Sequence, residues 1–327
     1  MHERQKAHIS CGSAQPAWQT SCDRHHVGAA EGAYRTVLAD NALFDLQRLH
    51  LSSTTPSTPS ASASATELAF HLGALAQNFA IEWVESCDST NARLVDAPPP
   101  DDGRVHVLVA DRQTAGRGRR GRQWQSWQGA SLTFSVLWRF EPGAPAPAGL
   151  SLTSGLALAR ALEALGVQGV QLKWPNDVLV HGEKLAGILV ELLPTRGRPP
   201  AAVIGIGLNL RLPADAHFPG QTGVTDLARA LDAAPPSRSA VLATLLAELL
   251  HLFDTYAIAG FPALRGAWEQ RNAFAGLPVA IAGEGSTQFG ICTGVDDDGA
   301  LLLQTESGMQ RVLAGDVSLR PLTGGTP

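Results

Sequence analysis

The sequence contains few cysteines, and their spacing suggests no shared chemistry. The 327-residue chain has four, at Cys11, Cys22, Cys87 and Cys292, with no CxxC pair. Structural zinc sites and small disulfide-bonded domains need closely spaced or numerous cysteines, so neither is predicted. A reducing compartment is favoured, and we expect no metal ion held by protein side chains.

Long apolar runs and an excess of basic charge are also lacking. No apolar run approaches the roughly 20 residues of a membrane-spanning helix, and the N-terminus has no apolar centre typical of a signal peptide. We therefore expect a cytoplasmic protein with no membrane partner. The formal net charge of -5 disfavours a general nucleic-acid binder, because such proteins carry an excess of Lys and Arg to neutralise phosphates.

The composition changes along the chain and predicts three regions. Residues 1–66 end in a run of Ser, Thr, Pro and Ala, which we interpret as a disordered extension and linker. Residues 67–272 alternate strand-like and helix-like segments, which predicts a mixed α/β or α+β domain. Residues 273–327 contain short strands between acidic and glycine turns, which is typical of a small β-barrel.

Local patterns predict where individual elements begin and end. Ser89 or Thr90 is expected to cap a helix, and apolar spacing predicts helices over 150–165, 237–256 and 261–272. The segment DVLVHGEKLAGILVEL predicts a β-hairpin that turns at HGEK.

A loop that alternates glycine and arginine follows one predicted strand. The segment DRQTAGRGRRGRQW spans 111–124 and contains Arg117, Arg119, Arg120 and Arg122. Glycines let the backbone approach a ligand closely, and guanidinium groups match the oxygens of phosphate or carboxylate. The loop alone predicts an anion site and a solvated basic loop equally well. Its spacing matches neither a Walker loop nor a dinucleotide fingerprint.

Three further clusters place polar groups or glycines at the ends of predicted strands. Lys173, Asn176 and Asp177 lie in KWPND, which taken alone is ordinary turn chemistry. Lys184 lies at the start of an apolar predicted strand, where a lone lysine is usually only solvated. The glycines of GIGLN, at 205–209 in a predicted buried strand, indicate either the close approach of a ligand or a bulge.

All of these segments occur in one chain and in one order. As a set, DSTN, QTAGRGRRGRQW, KWPNDV, KLAGILVE and GIGLN resemble the biotin-protein ligases over about residues 83–210, and the segment after 273 resembles that family's small SH3-like barrel. The resemblance implies an α+β fold. It comprises a catalytic domain over 67–272, with a mixed α/β sheet of the class II synthetase and biotin ligase type, and a C-terminal SH3-like β-barrel over 273–327.

The resemblance also implies a two-step reaction. The biotin carboxylate attacks the α-phosphate of ATP to give biotinyl-5'-adenylate, and a carrier lysine then takes the biotinyl group. ATP and biotin are the implied substrates, with Mg²⁺ expected on the phosphates. The implied partner is the biotin carboxyl carrier protein of acetyl-CoA carboxylase or of a similar biotin-dependent carboxylase, and a homodimer is compatible with the resemblance.

Site residues follow from the same resemblance. Lys184, Arg119 and Asp177 are assigned to catalysis, with Lys184 on the carboxylate and α-phosphate oxygens and Asp177 as the hypothetical acceptor of the lysine proton. Biotin binding is assigned to Ser89, Thr90, Asn91, Gln113, Gly116, Arg117, Gly118, Arg119, Trp124, Lys184, Gly187 and Gly207. Nucleotide binding is assigned to Arg117, Arg119, Arg120, Lys173, Asn176 and Asn209.

Two departures from the family pattern and two rival functions bear on this interpretation. The best-known bacterial members carry an N-terminal winged helix-turn-helix, whereas residues 1–66 show one helix-like stretch, so we expect no specific DNA binding. Ala186 stands where some relatives have glycine.

Lipoate-protein ligases share the fold and reaction but lack the GRGRRGR and KWPND pair. A nucleic-acid-binding module that uses the basic loop is the alternative from another class, and the acidic chain argues against it.

Overall fold

A computed structural model describes residues 61–142, 144, 147–194, 200–218, 223–283, 287–315 and 318–321. Predictions for residues 1–60 lie outside the described residues. The first described element is helix α1, Ala61–Leu72. The linker predicted to reach residue 66 is therefore wrong for its last residues, because Ser64 is buried and its carbonyl accepts a 3.1 Å hydrogen bond from Ser239 Oγ.

Helices and strands mix in the larger part of the chain, and the last part contains strands. The remaining helices are α2 (Thr90–Asp96), α3 (Leu150–Ala164), α4 (Leu227–Leu231), α5 (Arg238–Ala259) and α6 (Pro262–Glu269). A large sheet contains β1 (Phe79–Cys87), β2 (Val105–Gln113), β3 (Ser131–Arg139), β4 (Val170–Lys173), β5 (Asp177–Val180), β6 (Glu183–Leu193) and β7 (Ala201–Asn209). A smaller sheet contains β8 (Pro278–Ala282), β9 (Thr287–Val295), β10 (Leu301–Thr305), β11 (Gly308–Val312) and β12 (Ser318–Pro321).

The large sheet has the strand order β1-β2-β3-β7-β6-β5-β4. β1 and β2 pair in parallel, with α2 in the connection between them, and the other neighbours pair antiparallel. Side chains alternate between the two faces of a strand. Val107 and Val109 accordingly join the main core with α1, α3 and α5, whereas Leu108 packs with Leu94 of α2 in a second cluster. The mixed sheet with helices on both faces confirms the predicted α+β fold.

Most of the locally predicted elements are confirmed. Ser89 caps α2 and accepts a hydrogen bond from the backbone N–H of Ala92 at 3.4 Å. β5 and β6 form the predicted hairpin, with His181 and Gly182 at the turn. Helices α3, α5 and α6 overlap their predicted ranges.

Helix α5 corrects one expectation from the sequence. It spans 22 residues and is apolar enough, by length and composition, to cross a membrane, so the expectation that no run approaches membrane length is wrong here. Of its most apolar segment, 67% is buried inside the protein. Because α5 packs against α1 and α3, its apolar character is that of a core helix.

The smaller sheet has the antiparallel order β11-β10-β9-β8-β12. The predicted second, all-β unit is confirmed, but β11 and β12 do not pair among the described residues, so closure into a barrel is not seen there. Hydrogen bonds join this unit to the larger one. Trp174 Nε1 donates to the carbonyl of Gly299 at 3.0 Å, and Glu269 Oε1 accepts from the backbone N–H of Val295 at 2.5 Å.

The packing of α1 predicts unequal effects of two substitutions on the same helix. Leu68 is fully buried, whereas Phe70 is 67% exposed. Leu68→Ala is expected to lower the free energy of unfolding by about 2–5 kcal/mol, because it leaves a cavity in the core. Phe70→Ala should change it by no more than about 0.5 kcal/mol. Urea unfolding measures both, and equal effects would mean that α1 is not docked as described.

Candidate active site

A cavity of about 130 Å³ lies where α2, the glycine-arginine loop, the β4–β5 corner and strands β6 and β7 meet. It contains nearly all of the residues that the sequence analysis selected from distant segments. Those that line it are Ser89, Thr90, Asn91, Gln113, Arg117, Gly118, Arg119, Arg120, Trp124, Lys173, Asn176, Asp177, Lys184, Gly187 and Gly207. The structure therefore brings these residues together.

Two selected residues lie outside the cavity lining. The carbonyl of Gly116 accepts a hydrogen bond from Trp124 N at 2.9 Å, and a Cβ atom on Gly116 would lie 2.5 Å from the Trp124 carbonyl oxygen. Gly116 thus permits a tight backbone approach within the loop. Asn209 is buried at the end of β7, where its Nδ2 donates to the carbonyl of Thr225 at 3.0 Å. Its Oδ1 has no hydrogen-bond partner among the described residues.

A hydrogen-bonded network of polar side chains runs along one wall of the cavity and continues to Ser135, which is buried outside the cavity lining. Gln113 Oε1 accepts from the backbone N–H of Thr90 at 2.7 Å and lies 3.2 Å from its hydroxyl. Ser135 Oγ lies 2.7 Å from Thr90 Oγ1 and 2.6 Å from Asn91 Oδ1. The sequence analysis missed Ser135. The signal was present, because Ser131, Thr133 and Ser135 alternate along an otherwise apolar strand.

Glu191 was also missed, and it holds two of the selected residues. Its Oε2 accepts from Asn91 Nδ2 at 2.8 Å, and its Oε1 lies 2.9 Å from an Arg117 guanidinium nitrogen. One carboxylate therefore fixes the side-chain amide of Asn91 and compensates the charge of Arg117. No local sequence signal links these residues, because about 75 to 100 positions along the chain separate Glu191 from them.

The glycine-arginine loop forms a short hairpin. Arg117 and Gln123 form an antiparallel bridge, and the N–H of Gly118 donates to the carbonyl of Arg122 at 2.7 Å. At the tip, Arg120 (φ 59) and Gly121 (φ 65) both adopt left-handed backbone conformations, as the two central residues of a type I′ turn do. The loop therefore has a defined backbone shape, and its arginines line the cavity.

Arg119 joins this hairpin to two other parts of the structure. Its guanidinium donates to Asn176 Oδ1 at 3.0 Å and also to the carbonyl of Gly315. The smaller sheet contributes directly to the cavity as well, through Ser318 and Leu319 of β12. Sequence reasoning missed both, because only the docking of the C-terminal unit brings them there.

Lys184 and Asp177 form an ion pair across the β5–β6 hairpin. The distance between Nζ and Oδ1 is 2.7 Å, and the side chains are 24% and 18% exposed. Lys184 Nζ also lies 5.9 Å from the centre of a Trp124 ring. Nearby, burial lowers the pKa of Lys173, and the charge of Asp177 opposes that shift. Two lysines therefore share one carboxylate at the cavity.

Trp124 rests on two glycines of the sheet. A Cβ atom on Gly207 would lie 2.2 Å from Trp124 Cε2, and one on Gly187 would lie 3.3 Å from Cζ3. The indole Nε1 is buried with no hydrogen-bond partner among the described residues. The cavity of about 130 Å³ is smaller than the roughly 300–1,000 Å³ typical of small-molecule pockets, and the Trp124 ring is one of the large side chains that line it.

Within the described ranges, no group of three or more His, Cys, Asp or Glu side chains could hold a metal ion.

Comparisons with known proteins agree with this fold. Residues 84–209 match the biotin/lipoate A/B protein ligase family, and residues 276–320 match the biotin protein ligase C-terminal domain. The chain is 38% identical over 238 residues to the biotin--[acetyl-CoA-carboxylase] ligase of Paracoccus denitrificans, covering 70% of this chain and 96% of that protein. It is 37% identical over 242 residues to the bifunctional ligase/repressor BirA of Escherichia coli, covering 71% and 72%.

A solved structure supports the same assignment. The biotin protein ligase from Aquifex aeolicus in complex with biotin and ATP superposes with a TM-score of 0.65 at 31% identity, covering 74% of this chain and 98% of that one. Fold and cavity together define a ligase of the biotin/lipoate A/B class. With the C-terminal match, the chain belongs to the biotin protein ligase family.

The contact between Trp124 and Gly207 predicts a coupled effect on stability. Gly207→Ala is expected to destabilise the protein by about 1–3 kcal/mol, because the new methyl group overlaps the indole. In a Trp124→Leu background the same change should cost less, since the overlapping ring is gone. Gly155→Ala is the control, because its Cβ would meet nothing nearer than 3.5 Å. Urea unfolding of the four-protein cycle tests this, and additive effects would contradict the contact.

Proposed function

We infer that this chain is an ATP-dependent biotin-protein ligase, which forms biotinyl-5'-adenylate and transfers biotin to a lysine of the carrier protein of acetyl-CoA carboxylase. The observation that carries this inference is that one cavity combines a hydrogen-bonding wall with several cationic side chains. Relatives named for this reaction match the chain at 35–38% identity. Mass spectrometry of a carrier domain incubated with the protein, biotin and ATP tests it directly.

The polar wall favours biotin over lipoate. The ureido ring of biotin has N–H donors and a carbonyl acceptor, and Ser89, Thr90 and Gln113 offer matching groups. The dithiolane ring of lipoate has no such groups and would leave this wall unsatisfied. A nucleic-acid-binding function is also disfavoured, because Arg117 is paired with Glu191 and the loop folds against the cavity.

The cationic groups suit the first step. Bringing the biotin carboxylate to the α-phosphate juxtaposes anions, and Lys184, Arg117 and Arg119 are proposed to offset that charge. Mg²⁺ is proposed to neutralise the other phosphate oxygens. Mg²⁺ in nucleotide sites usually rests on substrate phosphates and one or two carboxylates. Asp177 supplies the carboxylate among the residues that line the cavity, and it would fit the ion during this step.

The second step needs a neutral amine. A free lysine has a pKa of about 10.4, so its deprotonation near neutral pH costs roughly 4–5 kcal/mol. We propose that Lys184 turns from Asp177 to the biotin carboxylate and α-phosphate oxygens during the first step. The released Asp177 carboxylate then accepts the proton of the carrier lysine or orients its amine.

The Lys184–Asp177 pair provides two variants that each break the same 2.7 Å contact. Lys184→Ala should slow adenylate formation by about 100-fold or more, because a charge that stabilises the transition state is removed. Asp177→Asn should slow transfer from preformed adenylate more than adenylation. Biotin-dependent pyrophosphate release and single-turnover transfer measure the two steps. If both variants slow both steps equally, the pair acts as one structural unit and the separate roles are wrong.

Arg119 generates a prediction about retention of the intermediate. Arg119→Gly removes the contacts to Asn176 and Gly315, so the loop should cover the adenylate less of the time. Adenylate dissociation should rise by about ten-fold or more, since each charged hydrogen bond is worth about 1.5–3 kcal/mol. Albumin present in the reaction should then be biotinylated. Arg119→Lys is the matched control, because it keeps a positive charge at the same position and adds no backbone freedom. Equal retention in the parent and Arg119→Gly would reject the role of the loop as a cover.

Three properties remain proposals. We propose that the protein acts in the cytoplasm, that it has no sequence-specific DNA binding, and that it is able to form a homodimer. The relatives named as bifunctional repressors match 71% of the length of this chain. The segment predicted to lack their helix-turn-helix is 1–66, and the structure describes only its last six residues.

A further inference from the structure

The outer face of the smaller sheet carries rows of cross-strand neighbours. Arg320, Ala280 and Phe289 are register partners across β12, β8 and β9. In the next row, Ile291 of β9 pairs with Gln304 of β10, and Gln304 pairs with Met309 of β11. Register partners project from the same face of a sheet. Arg320, Phe289, Ile291 and Met309 therefore share one face, called here the outer face.

This outer face is apolar and exposed. Phe289 is 60% exposed, Met309 54% and Ile291 37%, whereas Val279 and Cys292 on the opposite face are buried. Single exposed apolar residues are common, but neighbouring ones that form a patch mark interaction sites. Ala280 lies between Arg320 and Phe289, and its small side chain leaves a shallow depression that another protein's side chains can fill.

Positive charge borders the apolar rows on the side of the catalytic cavity. A groove there is lined by Arg120 and Arg122 of the loop hairpin and by Arg320, with no carboxylate among its lining residues. None of the three arginines forms an ion pair with a carboxylate in the described part of the chain. Ser318 lines both this groove and the catalytic cavity. A partner bound on the outer face would therefore lie next to the site of transfer.

We propose that the outer face, bordered by the arginine groove, is the docking surface for the carrier protein. The carrier packs apolar side chains on Phe289 and Ile291 and presents carboxylates to the arginines, which brings its lysine to the cavity mouth. This inference rests on the proposed function. A protein partner fits better than a nucleic acid, because a net charge of -5 and exposed aliphatic side chains do not suit a phosphate backbone.

The test uses two variants of the full chain and one defined acceptor, the biotin carboxyl carrier domain of Escherichia coli acetyl-CoA carboxylase. The variants are Phe289→Ser with Ile291→Thr, and Arg320→Glu. Each should raise KM for the carrier domain by ten-fold or more, with biotin-dependent pyrophosphate release unchanged. Controls are Ile258→Ser, which changes an 84% exposed side chain on α5, and Arg104→Glu, which changes an exposed arginine beside Asp102.

Hydroxylamine separates this proposal from the proposed function. As a small nucleophile it takes the biotinyl group without a docking surface, so hydroxamate formation should be the same in the parent and in both variants. If the parent forms no hydroxamate, the proposed function fails, while hydrogen exchange of the unaltered protein still decides the docking surface. Amides of β8 and β9 should exchange more slowly when the unbiotinylated carrier domain is added.

Several results would overturn the docking surface. These are an unchanged carrier KM in both variants, or no protection of β8 and β9 by the carrier domain. A rise in KM for ATP and not for the carrier in Arg320→Glu would assign the arginines to the nucleotide. If the variants differ from the parent in sedimentation coefficient but not in KM for the carrier, the outer face would be assigned to contact between two copies of this chain.

Discussion

The positive charge collected around one cavity is the constraint on which the rest of this structure depends. Like charges repel, and a partly buried cation without a partner is costly. Each of three central cations therefore has an oxygen partner: Arg117 has Glu191, Lys184 has Asp177, and Arg119 has the side-chain oxygen of Asn176. These partners come from strands β5 and β6 or from the corner before β5. The central sheet thus stabilises the glycine-arginine hairpin through the contacts of Arg117 and Arg119.

The smaller sheet is part of the same arrangement. Trp174, in the corner that carries Asn176 and Asp177, is buried and hydrogen-bonded to Gly299. Arg119 contacts Gly315, and Ser318 lines the cavity. Because these contacts reach the corner, the loop and the cavity wall, the geometry of the site depends on how the C-terminal unit docks. Its outer face, with Phe289 beside the arginine groove, then remains available to a protein partner at the cavity mouth.

Local chemistry was sufficient to predict many of the helices and turns. The N-cap at Ser89, the hairpin at His181 and Gly182, and helices α3 and α5 follow from side-chain hydrogen bonding, turn preference and apolar spacing, all of which act over a few residues. The expected end of the linker was wrong, because the Ser and Ala run that resembles a linker continues into α1. The burial of that helix against α5 is decided by residues far away in the chain.

The sequence by itself determined the chemistry of the site: which segments carry cations, amides, hydroxyls and close-packing glycines. Only the tertiary structure decided the partners of those groups. The contacts that Ser135, Glu191 and Gly315 make with the selected residues could not be predicted, because they join positions about 45 to almost 200 residues apart. The position of the Trp124 ring over Gly207 is likewise set by how the glycine-arginine hairpin packs on strands β6 and β7. Short-range preferences select a helix, a strand or a turn, but distances between elements depend on how the whole core packs.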